Sequence, residues 1–198
     1  MAKNVLNKLT VHLYDTNVRA RLYDHLMVLL KCQEGLNLRP LVALCIGSDR
    51  YTGDALGPLI GTYLEEHTEC SVYGTLDHPV HAGNFVETLN IINQRYHHPL
   101  IIAIDACLGK THEIGNIEIW QGGLAAGIAV GNRLPTVGDI SVIGVVNAQS
   151  QIGYLDLQST PLSKVMKLSQ VISEALADAI NTVNITAIPA CSLKAGGE

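Results

Sequence analysis

The chain has 198 residues, of which 47% are hydrophobic, so it is long enough to bury the core of one domain. Its 13 Lys and Arg residues against 18 Asp and Glu residues give a formal charge of −5, with no long run of either sign. This balance argues against nucleic acid as a partner.

The five cysteines and the N-terminal sequence indicate where the protein resides. The cysteines are odd in number and include no Cys-x-x-Cys pair, which is typical of reduced thiols. The N-terminus lacks the apolar segment of a signal peptide, and no apolar run approaches the roughly 20 residues of a membrane helix. We therefore expect a cytoplasmic protein with no membrane partner.

The first half of the chain alternates helices and strands. Apolar residues at helical spacing predict an amphipathic helix over residues 17–32. A short apolar run after a proline predicts a buried strand, and the next apolar pattern predicts a helix. These two segments read "PLVALCIGS" and "DALGPLIGTYLEEH".

The same alternation continues and predicts the fold class. The next segments read as strand, helix and strand: "CSVYGTL", "NFVETLNIINQRY" and "PLIIAID". Then come an alternating segment predicted as an antiparallel edge strand, a Gly-rich loop, a strand and a final helix: "THEIGNIEIWQGG", 122–138, "ISVIGVV" and 161–180. We predict a three-layer α/β/α fold with a mostly parallel central sheet. It would form one domain over residues 1–183, followed by a flexible tail over 184–198. The edge strand and an apolar surface helix make a homo-oligomer an expectation.

Candidate site residues follow the predicted strands. In an open parallel sheet, ligands bind beyond the carboxyl ends of the strands. This rule selects residues from four loops: Ser48, Asp49, Asp54, Asp77, His78, His81, Asp105, Cys107 and Asn147. Two carboxylates from different loops, Asp54 and Asp105, could converge.

Each of the two aspartates has an alternative, purely structural interpretation. Asp105 follows an apolar strand, so its carboxylate would be partly desolvated, but it could instead cap the next element or bind loop amides. Asp54 precedes "ALGP", which is also the pattern of a helix N-cap. If the two carboxyl groups are close, they share a proton, and one can activate water while the other donates to a carbonyl.

Other chemical signals are weaker. The segment "GKT" at residues 109–111 lacks the earlier glycine of a phosphate-binding loop, and no serine lies in a Gly-x-Ser-x-Gly elbow. His78 and His81 could bind zinc with a carboxylate, although loop histidines are common on surfaces. Cys107 could be a nucleophile beside a histidine, or a small buried thiol.

Several motifs resemble, in order and spacing, segments of the germination protease of spore-forming bacteria. They are "CIGSDRYTGDALGPLIG", "IIAIDACLG" and "IEIWQGGLAAGIAVGN". The chain is still more similar to the YyaC-type sporulation proteins, including the segments "VYGTLDHPVHAGN", "NRLPTVGD" and "GVVN". The resemblance implies that Asp54 and Asp105 match the proposed catalytic pair of an aspartic endopeptidase. That protease degrades the small acid-soluble proteins that coat spore DNA, which makes such proteins candidate substrates here.

The resemblance extends to the hydrogenase maturation endopeptidases, which implies their phosphorylase/hydrolase-like α/β fold. Those enzymes recognise nickel with two acidic residues and a histidine in a later loop. This chain has no histidine after His112, so His81 would have to replace that ligand. The chain is also much shorter than the germination protease and lacks a recognisable propeptide, so the substrate does not carry over directly.

We therefore predict a sporulation-associated endopeptidase-like protein of the forespore or mother cell, with Asp54 and Asp105 as the catalytic pair and no cofactor. The Gly-rich loop would line or cover the crevice. Residues predicted to bind or orient the substrate are Asp49, Gly53, His81, Cys107 and Asn132. One alternative is a non-catalytic module that binds a protein or peptide, and another is a metal-dependent hydrolase that uses Asp54, Asp105 and His81.

Overall fold

The computed structural model describes residues 8–125 and 134–187. These residues form a large mixed sheet, a small hairpin and five α-helices. The strands are β1 (Leu9–His12), β2 (Leu41–Cys45), β3 (Ser71–Tyr73), β4 (Leu100–Gly109), β5 (Asn116–Gln121), β6 (Leu124–Ala125), β7 (Thr136–Val137) and β8 (Ile140–Ala148). The helices are α1 (Val18–Lys31), α2 (Leu56–His67), α3 (Phe85–Arg95), α4 (Gly153–Gln158) and α5 (Leu162–Ala187), with short 3₁₀ turns at Thr52–Ala55 and Thr111–Glu113.

The large sheet has six strands in the order β1-β5-β8-β4-β2-β3. Strands β3, β2, β4 and β8 are parallel, whereas β5 is antiparallel to both β8 and β1. The central strands β2, β4 and β8 are apolar along most of their length because they are covered on both faces. The predicted fold class, three layers around a mostly parallel sheet, is confirmed.

One face of the sheet is covered by α1, α2 and α5. The apolar stripes of these helices pack against alternate residues of the strands, such as Ile102 and Ile104 of β4, and all of these side chains are buried. Burial of this kind contributes about 25 cal/mol per Å² of apolar surface. This face therefore holds the larger part of the core.

The other face has a smaller cover, formed by α3 and the hairpin β6–β7. Phe85 and Ile92 of α3 pack on Val42 and Leu44 of β2, while Leu124 and Val137 of the hairpin belong to the same cluster. The remaining residues of this second cluster are Ile46, Val80 and Ala103. Cavities lie on this face near the carboxyl ends of the strands.

The structure corrects several predicted elements. Strand β5 is not an edge strand, because the unpredicted strand β1 pairs along its free side. Strand β4 continues beyond the predicted end at Asp105 as far as Gly109, since β8 pairs with it to that point. Helix α4 was also not predicted, and α5 continues to Ala187, past the predicted helix end at Ile180. The rest of the predicted tail lies outside the described residues.

Within residues 8–125 and 134–187, no helix combines the length and the apolar character that crossing a bilayer requires.

Candidate active site

A cavity of about 210 Å³ opens at the carboxyl ends of β2 and β4. Its walls come from the loop after β2, the loop before α3, the strand β4 and the segment before β7. The lining residues are Ile46, Gly47, Ser48, Arg50, Tyr51, Asp54, His81, Ala82, Gly83, Asp105 and Leu134. The structure thus brings Asp54, Asp105 and His81 to one cavity, as the strand-end rule predicted.

The loop after β2 is fixed by its own main chain. Gly47 has φ of 141°, in a region that side chains rarely adopt, and a Cβ there would collide with the carbonyl oxygen of Asp54. The Gly47 N–H donates to the carbonyl oxygen of Val80 at 2.8 Å, and the Ser48 N–H donates to that of Asp54 at 3.2 Å. These bonds hold the segment that carries Asp54 against the end of the strand.

Asp54 lies in the 3₁₀ turn Thr52–Ala55 that precedes α2. Neither this turn nor α2 begins with a side-chain capping bond, so the interpretation of Asp54 as a helix N-cap was wrong. Burial raises the pKa of its carboxyl group to about 6, although a hydrogen bond from the Ser48 backbone N–H acts in the opposite direction. Asp54 therefore changes charge within the physiological pH range.

Asp105 lies inside β4 rather than after it, opposite Ile143 of β8. It is only 8% exposed, and its side chain points to the same face as Ala103, away from the three-helix layer. The carboxylate Oδ1 accepts a hydrogen bond from the Ala106 N–H at 2.8 Å. The predicted interaction with a main-chain amide is thus present, and it coexists with a position on the cavity wall.

His81 is held by the turn that leads into α3. Its N–H donates to Oδ1 of Asn84 at 2.8 Å, and its ring Nδ1 accepts from the Gly83 N–H at 3.1 Å. The second bond places the ring proton of neutral His81 on Nε2. Asn84 also donates through Nδ2 to the carbonyl oxygen of Pro79, so it fixes the whole turn. The sequence analysis did not assign Asn84 this role, although Asn before an apolar helix pattern is a recognisable turn signal.

The structure gives no support to a metal centre of the predicted type. In the described parts of the chain, no three His, Cys, Asp or Glu side chains are arranged so that they could hold one ion. Asp54, Asp105 and His81 therefore share the cavity without forming a ligand set for zinc or another cation.

The other predicted site residues lie outside this cavity. Asp49 is exposed on the loop after β2, and Gly53 packs closely against Leu157 and Thr160. Asn132 lies outside the described residues. Cys107 lies two residues beyond Asp105 in β4 and lines a different cavity. Burial, and to a smaller extent the charge of Asp105, raises the pKa of its thiol to about 12. A thiol so hard to ionise is a poor nucleophile.

A second cavity of about 440 Å³ lies beyond Asp105 on the same face of the sheet. Asp105 lines both cavities, and β4, β5 and β8 form the floor of the second one. Its notable residues are Glu113, Glu118 and Trp120, which the sequence analysis did not select. For Glu118 and Trp120 the signal was the alternation in "NIEIWQ", where Ile117 and Ile119 face the helices and the alternate residues face the opposite side.

Comparisons with known proteins agree with this architecture. The model of a family described as "Protein of unknown function (DUF1256)" matches residues 10–175. The chain is 44% identical over 140 residues to the uncharacterized protein YyaC of Bacillus subtilis (strain 168), which covers 70% of this chain and 68% of YyaC. Its structure is similar to the [NiFe] hydrogenase maturation protease HycI of Thermococcus kodakarensis KOD1, with a TM-score of 0.52 and 18% identity. That match covers 78% of this chain and 99% of HycI, and it shows a shared fold.

Proposed function

We propose that the chain, which belongs to the DUF1256 family and is 44% identical to YyaC over 140 residues, is an endopeptidase whose catalytic acids are Asp54 and Asp105. The observation that carries the proposal is the convergence of these two residues. They come from separate elements, the 3₁₀ turn before α2 and strand β4, they line one cavity of about 210 Å³, and Asp54 has a pKa of about 6. A largely buried carboxyl whose pKa is raised in this way keeps its proton at mildly acidic pH, which suits acid catalysis.

The two acids take different roles in the proposed reaction. Asp105, whose Oδ1 accepts a hydrogen bond from the Ala106 N–H, removes a proton from water as the water oxygen attacks the scissile carbonyl carbon. Protonated Asp54 donates its proton to the carbonyl oxygen. The tetrahedral intermediate then collapses: one of its hydroxyl groups returns a proton to Asp54 as the carbonyl re-forms, the C–N bond breaks, and the proton held by Asp105 passes to the leaving amine. The reaction consumes one water and leaves both acids as they began.

The fold likeness and the sequence resemblance support a peptidase rather than another hydrolase. The structural neighbour HycI is named as a protease, and the motifs around Asp54 and Asp105 resemble those of the germination protease. We therefore propose protein or peptide substrates, with small acid-soluble spore proteins as the first candidates. The proposed place of action is the forespore or the mother cell.

Cleavage of purified small acid-soluble spore proteins tests the proposal. The wild type is compared with Asp54→Asn and Asp105→Asn, and with Asp24→Asn, which changes an exposed aspartate of α1 on the other side of the sheet. We expect each site substitution to reduce kcat/KM by about 10²–10⁴-fold, the usual contribution of a general acid or base, and Asp24→Asn to leave it unchanged.

The pH profile gives a second test on the same substrate. Since Asp54 must be protonated to act as the acid, kcat/KM should fall about tenfold per pH unit above about 6. Cleavage that survives both substitutions would remove the paired-acid mechanism. Tight binding with no cleavage at any pH would favour the non-catalytic binding module instead.

A further inference from the structure

We infer that the exposed side of α4 docks an apolar segment of the protein substrate, outside the cavity that receives the scissile bond. The surface, here the α4 surface, consists of Ile152, Tyr154 and Leu155. The inference rests on the proposed endopeptidase function and adds to it a second point of contact with the substrate.

The α4 surface holds apolar side chains in solvent. Ile152, Tyr154 and Leu155 are 45%, 50% and 44% exposed, and Leu157 is the residue of α4 that is buried. A surface helix normally turns most of its apolar side chains toward the core, and α4 does the reverse. Few charges accompany these side chains, because residues 148–170 contain one acidic and two basic residues. An exposed apolar group of this kind is typical of an interaction site.

Helix α4 is held in place by hydrogen bonds at its base. Nδ2 of Asn147, near the end of β8, donates to the carbonyl oxygen of Asp156 at 2.9 Å, and Oγ1 of Thr160 donates to the same oxygen at 2.8 Å. Oδ2 of Asp156 accepts a hydrogen bond from the Ser150 N–H at 2.7 Å. The apolar side chains are therefore presented on a fixed backbone, so less conformational entropy is lost when a partner binds them.

The α4 surface is continuous with the wall of the 210 Å³ cavity. The ring centroid of Tyr154 lies 6.5 Å from that of Tyr51, which lines the cavity. Gly53 packs closely against Leu157, so the turn that carries Asp54 rests on α4. An extended chain advances about 3.3 Å per residue, and about two residues therefore span the step from one tyrosine ring to the next. A substrate chain that leaves the cavity past Tyr51 reaches the α4 surface within a few residues of the scissile bond.

This position favours the substrate over a permanent partner. A second copy of the chain bound to the α4 surface would crowd Tyr51 and the cavity beside it, whereas a substrate has to approach this wall in order to react. Contacts remote from the scissile bond contribute binding energy that raises kcat/KM without any change in the catalytic groups. The α4 surface would therefore select substrates by an apolar residue outside the cavity.

Cleavage of matched dodecapeptides tests the inference. The peptides share four central residues, taken from the bond cut in a small acid-soluble spore protein, and the four outer residues on each side contain either two leucines or only serines. We expect the wild type to cleave the leucine peptide with a kcat/KM about 10-fold higher than that of the serine peptide, as for the partial burial of one leucine side chain. The difference should lie in KM.

Substitutions locate this preference. Leu155→Ser should remove most of the 10-fold preference, whereas Leu38→Ser, which changes a leucine exposed on the loop before β2, should leave it unchanged. A general disturbance of the fold would lower the cleavage of both peptides alike and preserve their ratio. Equal cleavage of the two peptides by the wild type, or a preference that survives Tyr154→Ser and Leu155→Ser together, would overturn the inference.

Failure of the α4 surface and failure of the proposed function give different results. Fluorescence anisotropy measures the binding of a labelled small acid-soluble spore protein to Asp54→Asn, with and without Leu155→Ser. Binding that weakens about 10-fold when Leu155→Ser is added, without any cleavage by the wild type, supports the α4 surface and removes the hydrolytic function. Cleavage by the wild type, together with binding that does not depend on Leu155, overturns the α4 surface and leaves the endopeptidase standing.

Discussion

The two faces of the central sheet differ in how they are covered, and the difference shows where chemistry can be placed. Three helices close one face over a fully apolar layer, whereas the other face has one helix and a two-stranded hairpin. Strand β4 contributes to both, with Ile102 and Ile104 toward the helices and Ala103, Asp105 and Cys107 toward the lighter cover. Stability and chemistry thus depend on alternate residues of one strand.

The largest expected effect is a difference in stability cost between two substitutions in β4, one on each face of the sheet. Ile102→Ala removes a side chain with no exposed surface from the three-helix layer and should cost about 3 kcal/mol in the free energy of unfolding. Cys107→Ala, on the cavity side, should cost less than about 1 kcal/mol because the cavity already leaves the thiol partly unpacked. Urea denaturation at pH 7 measures both values. Equal costs would show that the two faces contribute equally to stability.

The second-largest expected effect is a gain in stability when Asp54 is replaced by asparagine. The pKa of Asp54 is about 6 in the folded protein, against 3.8 for an aspartate exposed to water, so the folded state binds more protons between these pH values. The ionised Asp54 therefore destabilises the fold above pH 6, and this penalty disappears as the pH falls toward 4. Asp54→Asn should raise the free energy of unfolding by about 1–2 kcal/mol at pH 7, after allowance for partial exposure, with no gain near pH 4.

Denaturation of Asp54→Asn and of the wild type at several pH values checks this sign. Asp24→Asn, at an exposed position of α1, is again the matched control, and we expect the same stability difference from the wild type at each pH. A loss of stability in Asp54→Asn at pH 7 would mean that the ionised Asp54 side chain stabilises the folded state, which contradicts the prediction.

The smallest effect on stability should come from Asp139, which precedes β8 and lies beside the amino end of β4. Oδ2 of Asp139 accepts hydrogen bonds from Nη2 of Arg39 and from the Ile101 N–H, both at 2.9 Å, and so ties the end of the hairpin to the sheet. Asp139→Asn should lower the free energy of unfolding by about 1 kcal/mol. It should leave the cleavage rate unchanged, because Asp139 lies at the amino end of β4. Thermal denaturation and the cleavage assay together measure this contrast with Asp54→Asn.

The sequence predicted the parts of the fold in which apolar pattern and chain order agree. The parallel strands and the helices α1, α2 and α3 follow from apolar runs that stop at polar loops, and the same runs place Asp54 and Asp105 near the carboxyl ends of two neighbouring strands. It could not reveal β1, whose four residues become a strand only by pairing with β5. Glu118 was missed for the same reason, because only the neighbours of a strand decide whether a charged residue faces solvent or a cavity.

The glycines around the Asp54 turn have a consequence for how the pocket can vary. A methyl group at Gly57 would strike the carbonyl oxygen of Ile46, and one at Gly61 would strike that of Gly74, so α2 lies against its neighbours backbone to backbone. Backbone contacts therefore fix the start of α2, and close packing of Gly53 on Leu157 and Thr160 adds to them in setting the position of Asp54. Tyr51, Ala82 or Leu134 can be exchanged to reshape the specificity of the pocket while the acid stays where it is. Substitutions in the cavity wall can therefore change which substrates bind without changing the backbone that positions Asp54.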